Sequence, residues 1–304
     1  MGTRTSARDE QLQTLMNNLL RNDLDAAREV YSRYLDTAIK IFEKEPIIQS
    51  VNAQKAIVVG DLHGDTATFN RVLTAYPLEK YAYVILGDMV DRGTHCTELL
   101  AALLACKIQH PKTFIMLRGD HESPIDAVSP QQFPDEFLSK LRDRVALGEI
   151  YGMLFQALPV AAVLNQRYFL VHGGIPIDAR SVKELSAHDK VVDPYVDMEV
   201  YQMLWNDPSN DKGYSVSDRG AYLFGPDITK RFLEASKLDL VLRGHEHRLG
   251  GFRYEGDVLT LLTTVIPTYP GDKPYIARVL SDRIEVFDVS RQIPTMVQGI
   301  PNRQ

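Results

Sequence analysis

Apolar residues along this chain change their spacing near residue 56, and the change separates a helical lead-in from an alternating body. Leu12, Leu15, Met16, Leu19 and Leu20 recur at helical spacing, with Ser6, three residues before Asp9, as a candidate cap. Asn22 and Asp23 punctuate. A second amphipathic stretch then runs through Leu24, Tyr31, Leu35, Ile39 and Phe42 to Glu45, with Pro46 ending it or opening a short new turn. Both stripes predict helices that pack on a core.

From Ala56 the apolar runs are short, and each ends in a cluster of Gly, Asp, His or Arg. They cover Ala56–Gly60, Tyr81–Gly87, Thr113–Gly119, Tyr168–Gly174 and Leu238–Gly244. Runs this short and rich in Val, Ile, Leu, Phe and Tyr predict buried strands. Helical segments around Thr68–Ala75 and Glu98–Lys107 separate the first three. Such alternation implies an α/β layered fold with right-handed crossovers, in which functional groups gather beyond the carboxyl ends of strands. The polar Ser209–Arg219 stretch reads as a surface loop near the site, and Arg291–Gln304 as a loosely held tail. With no repeat and no strong linker, one domain is expected: a lead-in over 1–50, a body over 51–290 and a tail over 291–304.

Composition narrows the class. A 304-residue chain with 44% hydrophobic and 24% charged residues has the balance of a globular protein. Its net charge of -6 gives no electrostatic reason to bind nucleic acid or an anionic membrane. Cys96 and Cys106 are too few for a disulfide framework and lack zinc-site spacing, so they read as buried free thiols. Without a membrane-length apolar run or a signal-peptide core, a cytoplasmic enzyme or binding domain is expected.

The strand ends carry the candidate chemistry. Gly60-Asp61-Leu62-His63-Gly64 follows the first strand, Gly87-Asp88-Met89-Val90-Asp91-Arg92-Gly93 the second, and Arg118-Gly119-Asp120-His121-Glu122 the third. His172-Gly173-Gly174 and Arg243-Gly244-His245 follow the fourth and fifth. Any one cluster is explained as a turn or a helix cap. Five together are not. Asp61, His63, Asp88, Asp120, His172 and His245 are six nitrogen and oxygen donors, more than one zinc site takes. That set suits two ions with a bridging carboxylate, and its imidazoles favour manganese, iron or zinc over calcium or magnesium.

These runs resemble the GDxHG, GDxxDRG and GNHE motifs of the phosphoprotein phosphatase (PPP) family, within the calcineurin-like metallophosphoesterases. The resemblance continues through Leu204–Pro208, Arg219–Gly225 and Pro267–Pro270, covering about residues 35 to 290 in the family's order. It implies a metallophosphoesterase fold, with central mixed β-sheets forming a sandwich flanked by helices. It also implies hydrolysis of phosphoserine and phosphothreonine in proteins, by direct attack of a hydroxide bridging two divalent ions, manganese first. Asp61 and His63 would hold the first ion, Asp88 would bridge, and Asp120, His172 and His245 would hold the second. His121 would be the general acid, oriented by Asp91. Arg92 and Arg219 would grip the phosphate, overlooked by Tyr269. Arg118 and Glu122 read as supports of the loop and Trp205 as packing, with Asp207 and Pro208 shaping a loop. His95, His110, His188 and His247 read as ordinary residues.

One position departs from the family. Asp120 stands where the family has Asn, which keeps a metal-binding oxygen, loses an N–H donor and adds a negative charge. At roughly 5 Å and an effective dielectric near 20, that charge costs about 3 kcal/mol against an anionic oxygen. The chain then reads as a weakened enzyme, by engineering or by natural tuning to another metal. Two other readings use the same residues: a hydrolase of dinucleoside polyphosphates or other small phosphoesters, and a non-catalytic phosphoprotein-binding module silenced by Asp120.

Overall fold

A computed structural model describes residues 7–124, 131–190, 193–247 and 250–302. The lead-in forms two helices, Ala7–Leu19 and Leu24–Glu43. Asp23 caps the second by accepting from the N–H groups of Asp25 and Ala26, which satisfies two donors the helix cannot. The candidate cap at Ser6 lies outside the described residues. Tyr31, Leu35, Ile39 and Phe42 of the expected stripe are buried and Val30 joins them, while Leu24 at the helix start is only half-buried.

All five expected strands form, each slightly shorter than its apolar run: Ala56–Val59, Ala82–Ile85, Phe114–Met116, Tyr168–Val171 and Leu240–Arg243. They divide between two six-stranded mixed sheets. The first sheet runs Ile48–Val51, Ala161–Leu164, Tyr168–Val171, Leu240–Arg243, Val258–Leu261, Phe252–Glu255. The second runs Thr295–Pro301, Arg283–Asp288, Tyr275–Val279, Ala56–Val59, Ala82–Ile85, Phe114–Met116. Ala56–Val59, Ala82–Ile85 and Phe114–Met116 are mutually parallel, joined through the helices Thr66–Ala75 and Cys96–Gln109.

Strand alternation sorts side chains onto opposite faces, and three cores result. Val58, Val84 and Ile115 of the second sheet meet Leu170, Leu242 and Leu259 of the first between the sheets. Ile57, Ile85 and Phe114 face outward and pack with Leu35, Phe42 and Leu103 of the helices. Phe169, Val171 and Val241 pack on Met203 and Phe232 outside the first sheet. The result is a β-sandwich flanked by helices, with both cysteines buried and free.

Two expectations need correction. The supposedly loose segment 291–304 contributes the strand Thr295–Pro301, paired antiparallel with Arg283–Asp288. Its backbone completes a ladder although its side chains, apart from buried Ile300, show little periodicity. The Ser209–Arg219 stretch is not all loop, because Tyr214–Val216 pairs with Tyr222–Phe224 in a small three-stranded sheet. Among the described residues no helix is long and apolar enough to cross a membrane.

Candidate metal centre

The carboxyl ends of strands from both sheets open on one point. Asp61 follows Val59, Asp88 follows Ile85, Asp120 follows Met116, His172 follows Val171 and His245 follows Arg243. All five are buried. The connecting turns are strained: His63, Asp88, Asp91, Arg92 and His245 have φ of 45°, 51°, 64°, 64° and 70°. Left-handed backbone disfavours side chains other than glycine and persists where the surroundings over-determine it. Glu122 supplies much of that restraint. Its carboxylate accepts from the backbone N–H groups of Asp88 at 2.8 Å, Met89 at 2.9 Å and Gly119 at 2.9 Å.

Two donor groups share Asp88. Asp88, Asp120, His172 and His245 offer ligand atoms within 4.8 Å of one another, and so do His63, Asp88 and His121. His172 Nε2 lies 3.0 Å from Asp120 Oδ1 and 3.3 Å from Asp88 Oδ1, while His245 Nδ1 lies 3.3 Å from Asp120 Oδ1. On the other side His63 Nε2 is 3.5 Å from Asp88 Oδ2. The far nitrogens are tied down, His63 Nδ1 at 2.8 Å from the Val90 carbonyl and His172 Nδ1 at 3.0 Å from that of Leu86. This leaves each Nε2 aimed inward, as ligating imidazoles require. Asp61 lies in neither group; its carboxylate accepts from the His245 N–H at 2.9 Å.

Glycines make the crowding feasible. A Cβ on Gly119 would collide with the Asp88 carboxylate, and one on Gly244 with that of Asp61. Burial, with the carboxylates of Asp120 and Asp61 beside it, pushes the Asp88 carboxyl well above its ordinary range. Burial also opposes ionisation of Asp120, but the His245 and His121 imidazoles hold its carboxyl well below the usual range. Buried acids packed this closely need compensating cations, so the donor set fits divalent metal ions.

His121 belongs to the group of His63 and Asp88. Its Nδ1 is 2.7 Å from Asp91 Oδ2, and its Nε2 is 4.0 Å from Asp88 Oδ2. Burial lowers the tendency of this imidazole to charge, yet the Asp120 and Asp91 carboxylates outweigh it and its pKa is raised. Asp91 is itself fixed, its Oδ1 accepting from the N–H groups of Gln132 and Phe133 at 2.7 Å each. Arg92 has a buried Nε with no hydrogen-bond partner among the described residues, and Arg219 reaches 2.8 Å from His245 Nε2. The Tyr269 hydroxyl lies 3.4 Å from His63 Nε2.

Several neighbours make contacts that the sequence did not specify. Asp207, read as a loop-shaper, forms a 2.6 Å ion pair with buried Arg243 and lies 3.8 Å from His245 Nε2. Trp205 does pack, but against the His245 ring at 5.7 Å. His247, read as ordinary, stacks on Tyr269 with centroids 4.2 Å apart. Arg118 donates from Nε to the Glu122 carbonyl at 3.0 Å, and burial pushes its pKa down to about 10. Gln132, 40 residues from Arg92, accepts from its backbone N–H, and no local pattern announces that contact.

Comparison with known proteins agrees with this geometry. A family model described as calcineurin-like phosphoesterase matches residues 55–249. Serine/threonine-protein phosphatase T of Aspergillus oryzae is 32% identical over 256 residues, which are 80% of this chain and 53% of that protein. Serine/threonine-protein phosphatase 5 of Solanum lycopersicum is 35% identical over 216 residues, 70% of this chain and 38% of its own length. The chain therefore spans about half, or less, of these curated relatives. The solved protein serine/threonine phosphatase from Saccharomyces cerevisiae with similarity to human phosphatase PP5 superposes with a TM-score of 0.75 at 27% identity, covering 92% of this chain and 90% of that one. A cold-active protein-tyrosine phosphatase of Shewanella, 14% identical with a TM-score of 0.59 over 84% of each chain, shares the fold alone.

Proposed function

The chain belongs to the calcineurin-like phosphoesterase family, and we propose that it is a protein serine/threonine phosphatase of the PPP type. Its substrates on this reading are phosphoserine and phosphothreonine monoesters in proteins. The observation that carries the proposal is the pair of buried donor groups joined through Asp88, beside an imidazole fixed by a carboxylate. The phosphatase names borne by its relatives support the substrate class. Asp61 and His63 are assigned to one ion, Asp120, His172 and His245 to the other, and Asp88 to both. Manganese is proposed first, with iron or zinc as alternatives for this imidazole-rich set.

When bound, two such ions supply water activation near neutral pH and neutralise charge on the phosphoryl oxygens. The protein's own residues do the rest. Arg92 and Arg219 bind and orient the phosphate through their guanidinium forks. Tyr269 closes the side beside His63. His121 holds a proton on Nε2, turned toward the donor groups because Nδ1 is occupied by Asp91. It gives that proton to the departing alkoxide, which is too basic to leave unaided. Asp91 keeps the imidazole in that orientation and favours its charged form. The lead-in and body act as one domain in this reading, and the cytoplasm is its proposed compartment.

The test combines elemental analysis with a comparison of substrates. Two ions per chain and faster turnover of a phosphoserine peptide than of diadenosine tetraphosphate are expected. Preference for the dinucleotide would transfer the site to small phosphoesters. Phosphopeptide held by metal-loaded protein without turnover would make it a binding module.

A further inference from the structure

We propose that His247 is a positioning residue of this site, which fixes Tyr269 over the phosphate-binding face by ring stacking. The proposal rests on the phosphoesterase reading of the site and extends it to a residue with no motif of its own. Tyr269 sits in the connection between the strands Val258–Leu261 and Tyr275–Val279. The backbone near it is held by single turn bonds, Tyr269 N–H to the Ile266 carbonyl at 3.0 Å and Asp272 N–H to the Tyr269 carbonyl at 3.4 Å. Thr268 donates to the Arg92 carbonyl at 3.4 Å, at the outer limit of a hydrogen bond. None of these bonds sets the direction of the Tyr269 ring.

Two imidazoles do. The His247 ring lies parallel to Tyr269, with an interplanar angle of 12° and centroids 4.2 Å apart. On the inner side the His63 ring meets Tyr269 at 60° and 5.7 Å, and the Tyr269 hydroxyl reaches His63 Nε2 at 3.4 Å. His63 in turn stands edge-on to His121, with centroids 5.0 Å apart. A row of four rings thus runs from the half-exposed His247 to the buried proton donor, and it joins four separate connections of the chain. Such aromatic contacts stabilise a fixed ring geometry beyond the area they cover. Their chief effect here is to remove rotamer freedom from Tyr269 before phosphate arrives, which lowers the cost of ordering on binding.

His247→Ala should raise KM for p-nitrophenyl phosphate and the inhibition constant of inorganic phosphate about three- to tenfold. Its kcat should change less than about twofold, and metal content by elemental analysis should not change. His247→Phe should restore both constants, since a flat ring suffices. In a Tyr269→Ala background His247→Ala should add nothing further, because neighbours that act together are non-additive. An unchanged KM in His247→Ala, no rescue by Phe, or full additivity with Tyr269→Ala would overturn the assignment. If the wild-type protein turns over no phosphoester, the phosphoesterase reading itself fails. The same comparison is then made on the dissociation constant of inorganic phosphate measured calorimetrically, where equal affinity in wild type and His247→Ala rejects the role.

Discussion

The two donor groups differ in what surrounds them. On the His63 side, Asp88 meets an imidazole that the Tyr269 hydroxyl also approaches, and a second imidazole bound to Asp91. On the His245 side it meets a second carboxylate, Asp120, with Asp207 behind His245 and Arg219 in front. In the proposed mechanism the first half moves a proton, while the second is the heavier in carboxylates, with Asp120 and Asp207 beside its imidazoles. Asp88 is the one side chain common to both groups. Changes on the first side should therefore act on leaving-group chemistry, changes on the second on anion affinity, and changes at Asp88 on everything.

Asp88→Asn tests that coupling and carries the largest expected effect. Activity should fall at least ~10³-fold, and both ions should be held more weakly, because one charge serves two sites. Retention of one tightly held ion in the purified variant would show that the two halves are independent.

His121→Asn probes the proton-moving half. Turnover of a phosphoserine peptide should drop by about 10²–10⁴, and that of p-nitrophenyl phosphate much less, since nitrophenolate leaves without protonation. Equal losses on the two substrates would remove the acid role from His121.

Asp120→Asn probes the heavier half, and here the expected change is a gain. Removing one negative charge at roughly 5 Å, with an effective dielectric near 20, favours an anionic substrate by about 3 kcal/mol, or about a hundredfold. Metal affinity at that site should fall somewhat, so the gain is read at saturating manganese. No increase there would make Asp120 a working ligand rather than a handicap.

Asp91→Asn gives the smallest effect and a distinct signature. Burial alone would lower the pKa of His121, and the Asp120 and Asp91 carboxylates raise it. A general acid must be protonated, so activity is lost as pH rises through that raised value. With one carboxylate removed the pKa falls, and the alkaline limb of the rate profile should move to lower pH. An unmoved limb would assign that limb to another group.

The legible part of this protein follows from local rules. The short apolar runs that end in Gly, Asp and His located five strands, and their polar ends held every member of the donor set. Asp-rich and Gly-rich turns are informative because tight turns beside strands restrict residue choice, and convergent ligands restrict it further. The strand Thr295–Pro301 escaped that logic. Its side chains are mostly exposed, so no alternation marks it, and its partner lies in Arg283–Asp288.

The sequence by itself determined which residues could serve the chemistry, since ligand type and turn shape are properties of short segments. Only the tertiary structure decided how they are shared out. Asp88 lies between two groups because strands of two different sheets end at one place. Asp91 reaches the N-terminus of the helix Phe133–Leu141, Asp207 meets Arg243, and His247 lies flat on Tyr269. The partners in these contacts lie 42, 36 and 22 positions apart along the chain. Contacts at that separation depend on how layers stack, and stacking is set by the sum of three cores rather than by any local pattern.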